Sequence, residues 1–372
     1  MRPRDGVLVY KETQSSDAST KTIDLDLVDP VTALYFEFEA VNGTTVNEDN
    51  FISDVVTKIE IVDGSEVLAS LNQFELEALH FYKLGKQPTL YPSEWASGTQ
   101  RHGAFLLFGR RLYDPEYAID FSRFRNPQLK ITWNLAAVTA VSATEAFATG
   151  TMKLTAIAKI MEGMSAPGKY LMDKELLSFT SSSTSGAEER KELPTDLVYR
   201  MLMTRHYVEP CEIDYITSDL KLTADSDKFI AFNRKVKQLD AEALARFGEC
   251  VILHPTKRAT GAVIRGLTTK ETHYRFWPST STQFTDFVHT LEFSGAVTLE
   301  TQTPAGGSAG TRRLWSEERG HALHGTLPLP FGDMNDPSTW LDPATFKKLE
   351  LVFTSGGTAG TCQIVAEQVR PN

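Results

Sequence analysis

A few groups of residues have types and spacing that could carry chemistry. Gly306-Gly307-Ser308-Ala309-Gly310 fits G-x-S-x-G, which presents a nucleophilic serine when a buried strand turns sharply into a helix. The surrounding TPAGGSAGTRR has no helical period, so a loop is expected. His321 and His324, in HALHG, could share one side of a metal site on a helix, but Gly320, Gly325 and Pro328 oppose a helix there. No third ligand lies nearby, whereas zinc takes three or four protein ligands. Loop or interface histidines are expected, and His102 and His206 stand as single strand or loop residues. Asp219, Asp225 and Asp227 lack the glycine and terminal glutamate of an EF-hand, so a turn is expected. Paired carboxylates of the glycosidase kind cannot be singled out among 48 acidic residues. No Walker loop, G-x-G-x-x-G or zinc-ribbon spacing occurs. Site residues are therefore read as none in the catalytic, cofactor-binding and metal classes, with no cofactor and no enzyme activity expected.

Charge and cysteines narrow the partners. With 38 basic against 48 acidic side chains the formal charge is −10, which disfavours a phosphate-gripping surface and sequence-specific nucleic-acid binding. The basic doublets Arg110-Arg111, Arg312-Arg313 and Lys347-Lys348 are short and scattered, as on solvated loops and strand ends. Cys211, Cys250 and Cys362 form no C-x-x-C and suit reducing cytosol. The start MRPRDGVLVYKETQ lacks a signal-peptide apolar region, and a soluble, non-exported chain is expected.

The elements that must position these residues are mostly strands. Leu34, Phe36 and Phe38 alternate with Tyr35 and Glu37, and VVTKIEIVDGSEVL reads as a hairpin turning at Asp63-Gly64. One helix is clearly signalled in QFELEALHFYKL: Asn72 and Glu75 make a capping box, Gly85 stops it, and Phe74, Ala78 and Phe81 share a face. The polar SFTSSSTSGAEERKELPTD, residues 178–196, reads as a surface crossover between two halves.

The second half repeats the first. FGRRLYDPEYAIDFSRFRNPQLKITW (108–133) and FGDMNDPSTWLDPATFKKLELVF (331–353) share Phe-Gly, Asp-Pro, apolar-Asp, Phe and an alternating run. Asp114 and Asp336 are placed to cap turns beginning at Pro115 and Pro337. Phe124 and Phe346 are expected to plug the gap between sheets, and Leu129, Ile131, Trp133 and Leu349, Leu351, Phe353 to face inward. ISDVVTKIEIVDGSEVLASLNQFELEAL (52–79) has a fainter counterpart at 216–244, whose helix Asp240 would cap and Gly248 would end. GTMKLTAIAKI (150–160) matches GTCQIVAEQV (360–369). From helix leucine to Phe-Gly is 29 positions in the first copy (79 to 108) and 87 in the second (244 to 331), so the second carries an excursion.

In IEIVDGSEVLASLNQFELEALHFYKLGKQP, FGRRLYDPEYAIDFSRFRNPQLKITWN and LPTDLVYRMLMTRHY the chain resembles the double jelly-roll major capsid proteins of tailless icosahedral viruses and phages. The likeness spans nearly the whole chain. It implies an all-β fold of two tandem eight-stranded antiparallel jelly rolls with short helices in the connections. The expected domains are residues 1–177, and 178–372 with a tower-like insertion at about 254–326. It further implies a coat protein, found in the virion and made in the host cytoplasm, that forms homotrimers as pseudo-hexameric blocks. Implied partners are itself, neighbouring capsomers, minor capsid or vertex proteins and, in shells that enclose one, an internal membrane facing residues 1–20. The rival readings are a carbohydrate-binding or carbohydrate-active β-sandwich protein and a minor spike or vertex protein.

Overall fold

A computed structural model describes residues 2–44, 47, 50–136, 146–209, 211–258, 263–278, 287–290, 296–301 and 312–372. Period-two alternation builds its first lobe from β1 (Arg2–Thr13), β2 (Ala18–Asp24), β3 (Val31–Val41), β4 (Val56–Asp63), β5 (Glu66–Leu71), β6 (Thr89–Tyr91), β7 (Thr99–Leu107), β8 (Pro127–Asn134) and β9 (Lys153–Glu162). Helix α1 (Ile52–Val55) precedes β4, and α2 (Gln73–Leu84) follows β5. The strands pair as β1-β9-β3-β7-β6 and β2-β8-β4-β5. Leu34, Phe36 and Phe38 of β3 meet Leu129, Ile131 and Trp133 of β8 in one buried cluster.

The second lobe repeats this order. It contains β10 (Lys169–Thr180), β11 (Glu188–Leu193), β12 (Tyr199–Tyr207), α3 (Ile213–Ile216), β13 (Thr217–Ala224), β14 (Phe229–Lys235) and α4 (Val236–Phe247). After the excursion come β21 (Thr326–Pro330), β22 (Leu349–Ser355) and β23 (Thr361–Pro371). Its sheets run β10-β23-β12-β21 and β11-β22-β13-β14, strand for strand the order of the first lobe without β6. The two copies of the Phe-Gly segment also coincide locally. Asp120 caps the short turn Phe121–Arg123, Asp342 caps Pro343–Thr345, and each turn ends on the phenylalanine, Phe124 or Phe346, that packs against its lobe's core. Asp336 caps the turn at Pro337, and Asp114 accepts from the Glu116 amide at 3.0 Å.

Between α4 and β21 the chain forms β15 (Cys250–Arg258), β16 (Val263–Arg265), β17 (Thr268–Pro278), β18 (Phe287–Thr290), β19 (Ala296–Thr301) and β20 (Arg312–Leu323). They pair as two three-stranded sheets, β15-β20-β17 and β16-β19-β18.

Three local expectations change. Asp240 does not cap α4: the helix starts at Val236 after Lys235, and Asp240 lies inside it, held by His321 Nε2 at 2.8 Å. The polar stretch 178–196 is not a bare crossover, because Glu188–Leu193 pairs with β22 as an edge strand. Its alternating Glu188, Arg190 and Glu192 face solvent, the composition that protects an open edge. Helix α2, whose bounds are as expected, has ten of its twelve residues buried, because the second lobe covers the side that a lone sandwich would expose. The expected boundary at 177/178 falls inside β10, which runs unbroken from Lys169 to Thr180.

Candidate assembly surfaces

The lobes meet through α2. A parallel bridge between Ser70 of β5 and Lys174 of β10 joins one sheet of each lobe into a single eight-stranded sheet. Met172, Met201, Met203 and Val365, on the outer face of the second lobe's first sheet, enter the hydrophobic cluster of the first lobe.

Charges are buried inside this joint. Lys83 Nζ lies 2.8 Å from Asp173 and 2.7 Å from Glu367, and donates to Leu107 O at 3.0 Å. Arg200 Nη1 donates to both Glu367 oxygens at 2.8 Å, and its Nε to Met334 O at 2.7 Å. Burial pushes the Asp173 carboxyl up to about 7 against the pull of Lys83, with the Glu367 charge adding to the rise. Burial also opposes ionisation of Glu367, yet Arg200 and Lys83 hold it below the usual carboxylate range. Two basic and two acidic side chains thus face one another across four elements, with Asp173 Oδ1 left without a hydrogen bond, an arrangement that specifies geometry more than it adds net stability.

A second buried cluster centres on Glu77. Its carboxylate accepts from Ser53 Oγ at 2.9 Å and Gln73 Nε2 at 2.7 Å, and faces His102 Nδ1 at 3.0 Å and His324 Nε2 at 2.5 Å. Burial works against the Glu77 charge, and the two imidazoles outweigh it, so the carboxyl is held low. His324 is lowered by burial despite Glu77. At the base of the insertion, Glu318 accepts from His254, Thr268 and the Leu267 and Thr268 amides. Arg265 makes a bidentate pair with Asp54 at 3.0 Å on both arms. Lys270 pairs with Glu212 and Asp214.

The residues weighed for chemistry take structural places. His321 and His324 go to different partners, Asp240 and Glu77, rather than to one metal. The segment that carries them ends a strand and makes a tight turn in which Gly325 has φ +74°. His102 is buried against Glu77, and His206 between Thr204 and Thr217. Asp225 accepts from the Lys347 and Lys348 amides, Asp227 pairs with Lys221, and Asp219 with Lys235. Arg110 is held by Asp114 and Glu116. Gly306–Gly310 lies outside the described residues. Among the described residues no group of three His, Cys, Asp or Glu suits a metal, and no helix is long and apolar enough to cross a membrane. The buried quartet of Lys83, Asp173, Arg200 and Glu367 escaped the sequence reading. Its signal was the single charges in apolar runs, FYKLG and QIVAEQV.

Outside the joint the surface offers edges. β1 exposes Val7 at 62% and Tyr10 at 65%, β14 exposes Phe229 and Ile230, and β15 exposes Val251 and Leu253. A groove of about 250 Å³ opens between β14, α4 and the end of β21, lined by Phe232, Leu239, Phe247, Leu329 and Phe331 among others.

No family model and no curated protein matches the chain. Solved structures do. The STIV MCP superposes with a TM-score of 0.60 at 10% identity, over 99% of this chain and 97% of that one. The major capsid protein P2 from bacteriophage PM2 gives 0.56 at 10% identity, over 100% and 98%. The PBCV-1 virus capsid gives 0.56 at 9% identity, over 99% and 93%. The chain is thus similar along its whole length to viral capsid proteins, and its fold is their double jelly roll.

Proposed function

We propose that this chain is the major coat protein of an icosahedral virus. The observation that carries the proposal is the duplicated sandwich joined into one pair through a shared sheet. Two lobes of the same strand order share an eight-stranded sheet and a buried charge cluster, while strand edges and apolar side chains stay uncovered on the outer flanks. A catalyst needs one poised site; a tile needs a fixed shape and repeated contacts.

Three chains would place six lobes around an axis as a pseudo-hexameric block, since closed rings are the usual outcome of identical subunits. The partners are further copies of the chain, neighbouring capsomers, and minor capsid or vertex proteins. In a shell that encloses a membrane, residues 1–20 would face it. The chain would be made in the host cytoplasm and act in the virion. A net charge of −10 leaves neutralisation of the genome to other components and gives the coat no sequence-specific nucleic-acid role. The lobe division that keeps every strand whole lies in residues 163–168, between β9 and β10, rather than at 177/178. Residues of about 254–326 would form an outward tower. Electron microscopy of the expressed chain tests the proposal: hexagonal plates or closed shells are expected, and only dispersed single chains at every concentration would overturn it.

A further inference from the structure

Inside the chain, β10 occupies a seat in the first lobe. It runs parallel to β5 through the Ser70–Lys174 bridge, and Leu171 N donates to Phe108 O at 2.8 Å. Tyr170 packs edge-on against Phe108, with ring centroids 6.2 Å apart. Lys83, two residues before the helix-ending Gly85, ties α2 to Asp173 of β10. Four parts therefore define the seat: the free edge of β5, the last turn of α2, the end of β7 with Phe108-Gly109, and the strand that fills it.

The second lobe has the first three parts. Counting back from Gly85 and Gly248, which end helices of 12 residues each, Lys83 corresponds to Arg246 and Ser70 to Asn233. Phe331-Gly332 stands where Phe108-Gly109 does, and Arg246 Nη2 donates to Gly332 O at 3.2 Å, much as Lys83 donates to Leu107 O. The fourth part is missing. Where β10 would lie there is the groove of about 250 Å³, and among the described residues β14 is an outer strand, paired with β13 on one side alone.

The strand of the first lobe that corresponds to β10 is β1. Each begins its lobe and pairs with the lobe's last strand, β1 with β9 and β10 with β23. Among the described residues β1 is likewise an outer strand, with no strand paired on its far side. We infer that β1 of a second copy of this chain seats in the groove between β14, α4 and β21, parallel to β14, repeating between copies the contact that β10 makes with β5 within one. This presupposes the ring of copies proposed above and names the surfaces that close it.

Register and chemistry agree with this occupant. Matching Gly150-Thr151 to Gly360-Thr361 sets Ile157 against Glu367. Val7 pairs with Ile157 and Asp173 with Glu367, so Val7 takes the place of Asp173. Val7, 62% exposed, thus presents an apolar side chain where β10 presents Asp173, as an apolar groove requires. Asp5, two residues earlier on the same face as Val7 and half-exposed beside Lys159, brings a carboxylate toward Arg246 at the groove's rim. Joining β1 to β14 removes two open edges at once, which is how β-proteins avoid unspecific pairing.

The test uses the full chain. Ala231→Trp fills the groove from an exposed position, and Val7→Asp charges the exposed strand; circular dichroism checks that both fold. The wild type is expected to form trimers, and each variant to need about tenfold more protein or above for half-assembly. Hydrogen exchange of wild-type protein, trimer against diluted monomer, should show slowing at residues 4–10 and 229–235 together. Wild-type trimers with folded variants that assemble equally well would overturn the contact and leave the coat proposal standing. Slowing at 229–235 without 4–10 would mean another occupant and overturn the assignment of β1. A wild type that never associates would overturn the coat proposal, and the contact with it.

Discussion

At the scale of single residues, the joint between the lobes depends on compensation of buried charge. Lys83, Asp173, Arg200 and Glu367 are each at most 1% exposed in their side chains, so removing one partner strands the others in a medium that cannot solvate them. Lys83→Met is expected to lower unfolding stability by ~3–5 kcal/mol, read from the denaturant midpoint, although Met matches the volume of Lys closely. A loss under about 1 kcal/mol, the range of exposed pairs, would show that the quartet is not desolvated in solution. Little of this was legible in advance. A lysine at the end of an amphipathic helix ordinarily reaches water, and only the covering second lobe turns Lys83 inward.

At the scale of elements, local chemistry announced itself where side chains satisfy the backbone. Asn72 accepts from the Glu75 amide at 2.9 Å and Glu75 reaches back to the Asn72 amide at 2.9 Å, so α2 could be bounded from sequence. Asn72→Ala is expected to cost about 1 kcal/mol in the same unfolding measurement. No loss would mean that burial alone defines the start of α2. The second helix gave no such signal. It begins after Lys235, whose side chain caps nothing, and the acidic residue that looked like a cap pairs with a histidine 81 positions away. The doubled Phe-Gly segments were readable for the same reason as α2: Asp120 and Asp342 cap matching turns, and such caps tolerate few residue types. The edge strand Glu188–Leu193 was missed because its alternation is of charge rather than of apolar residues.

At the scale of the whole molecule, duplication explains both what is buried and what is not. Helix α2 is covered because a second lobe lies beside it, whereas its counterpart α4 keeps an open flank, with only Val236, Leu239 and Asp240 buried. The proposed ring of copies would supply that neighbour to every second lobe. The most direct measurement is the mass of the purified chain in solution at micromolar concentration. A trimeric coat protein should run as a discrete species of three 41.4 kDa chains. A single-chain mass that persists as concentration rises would contradict it.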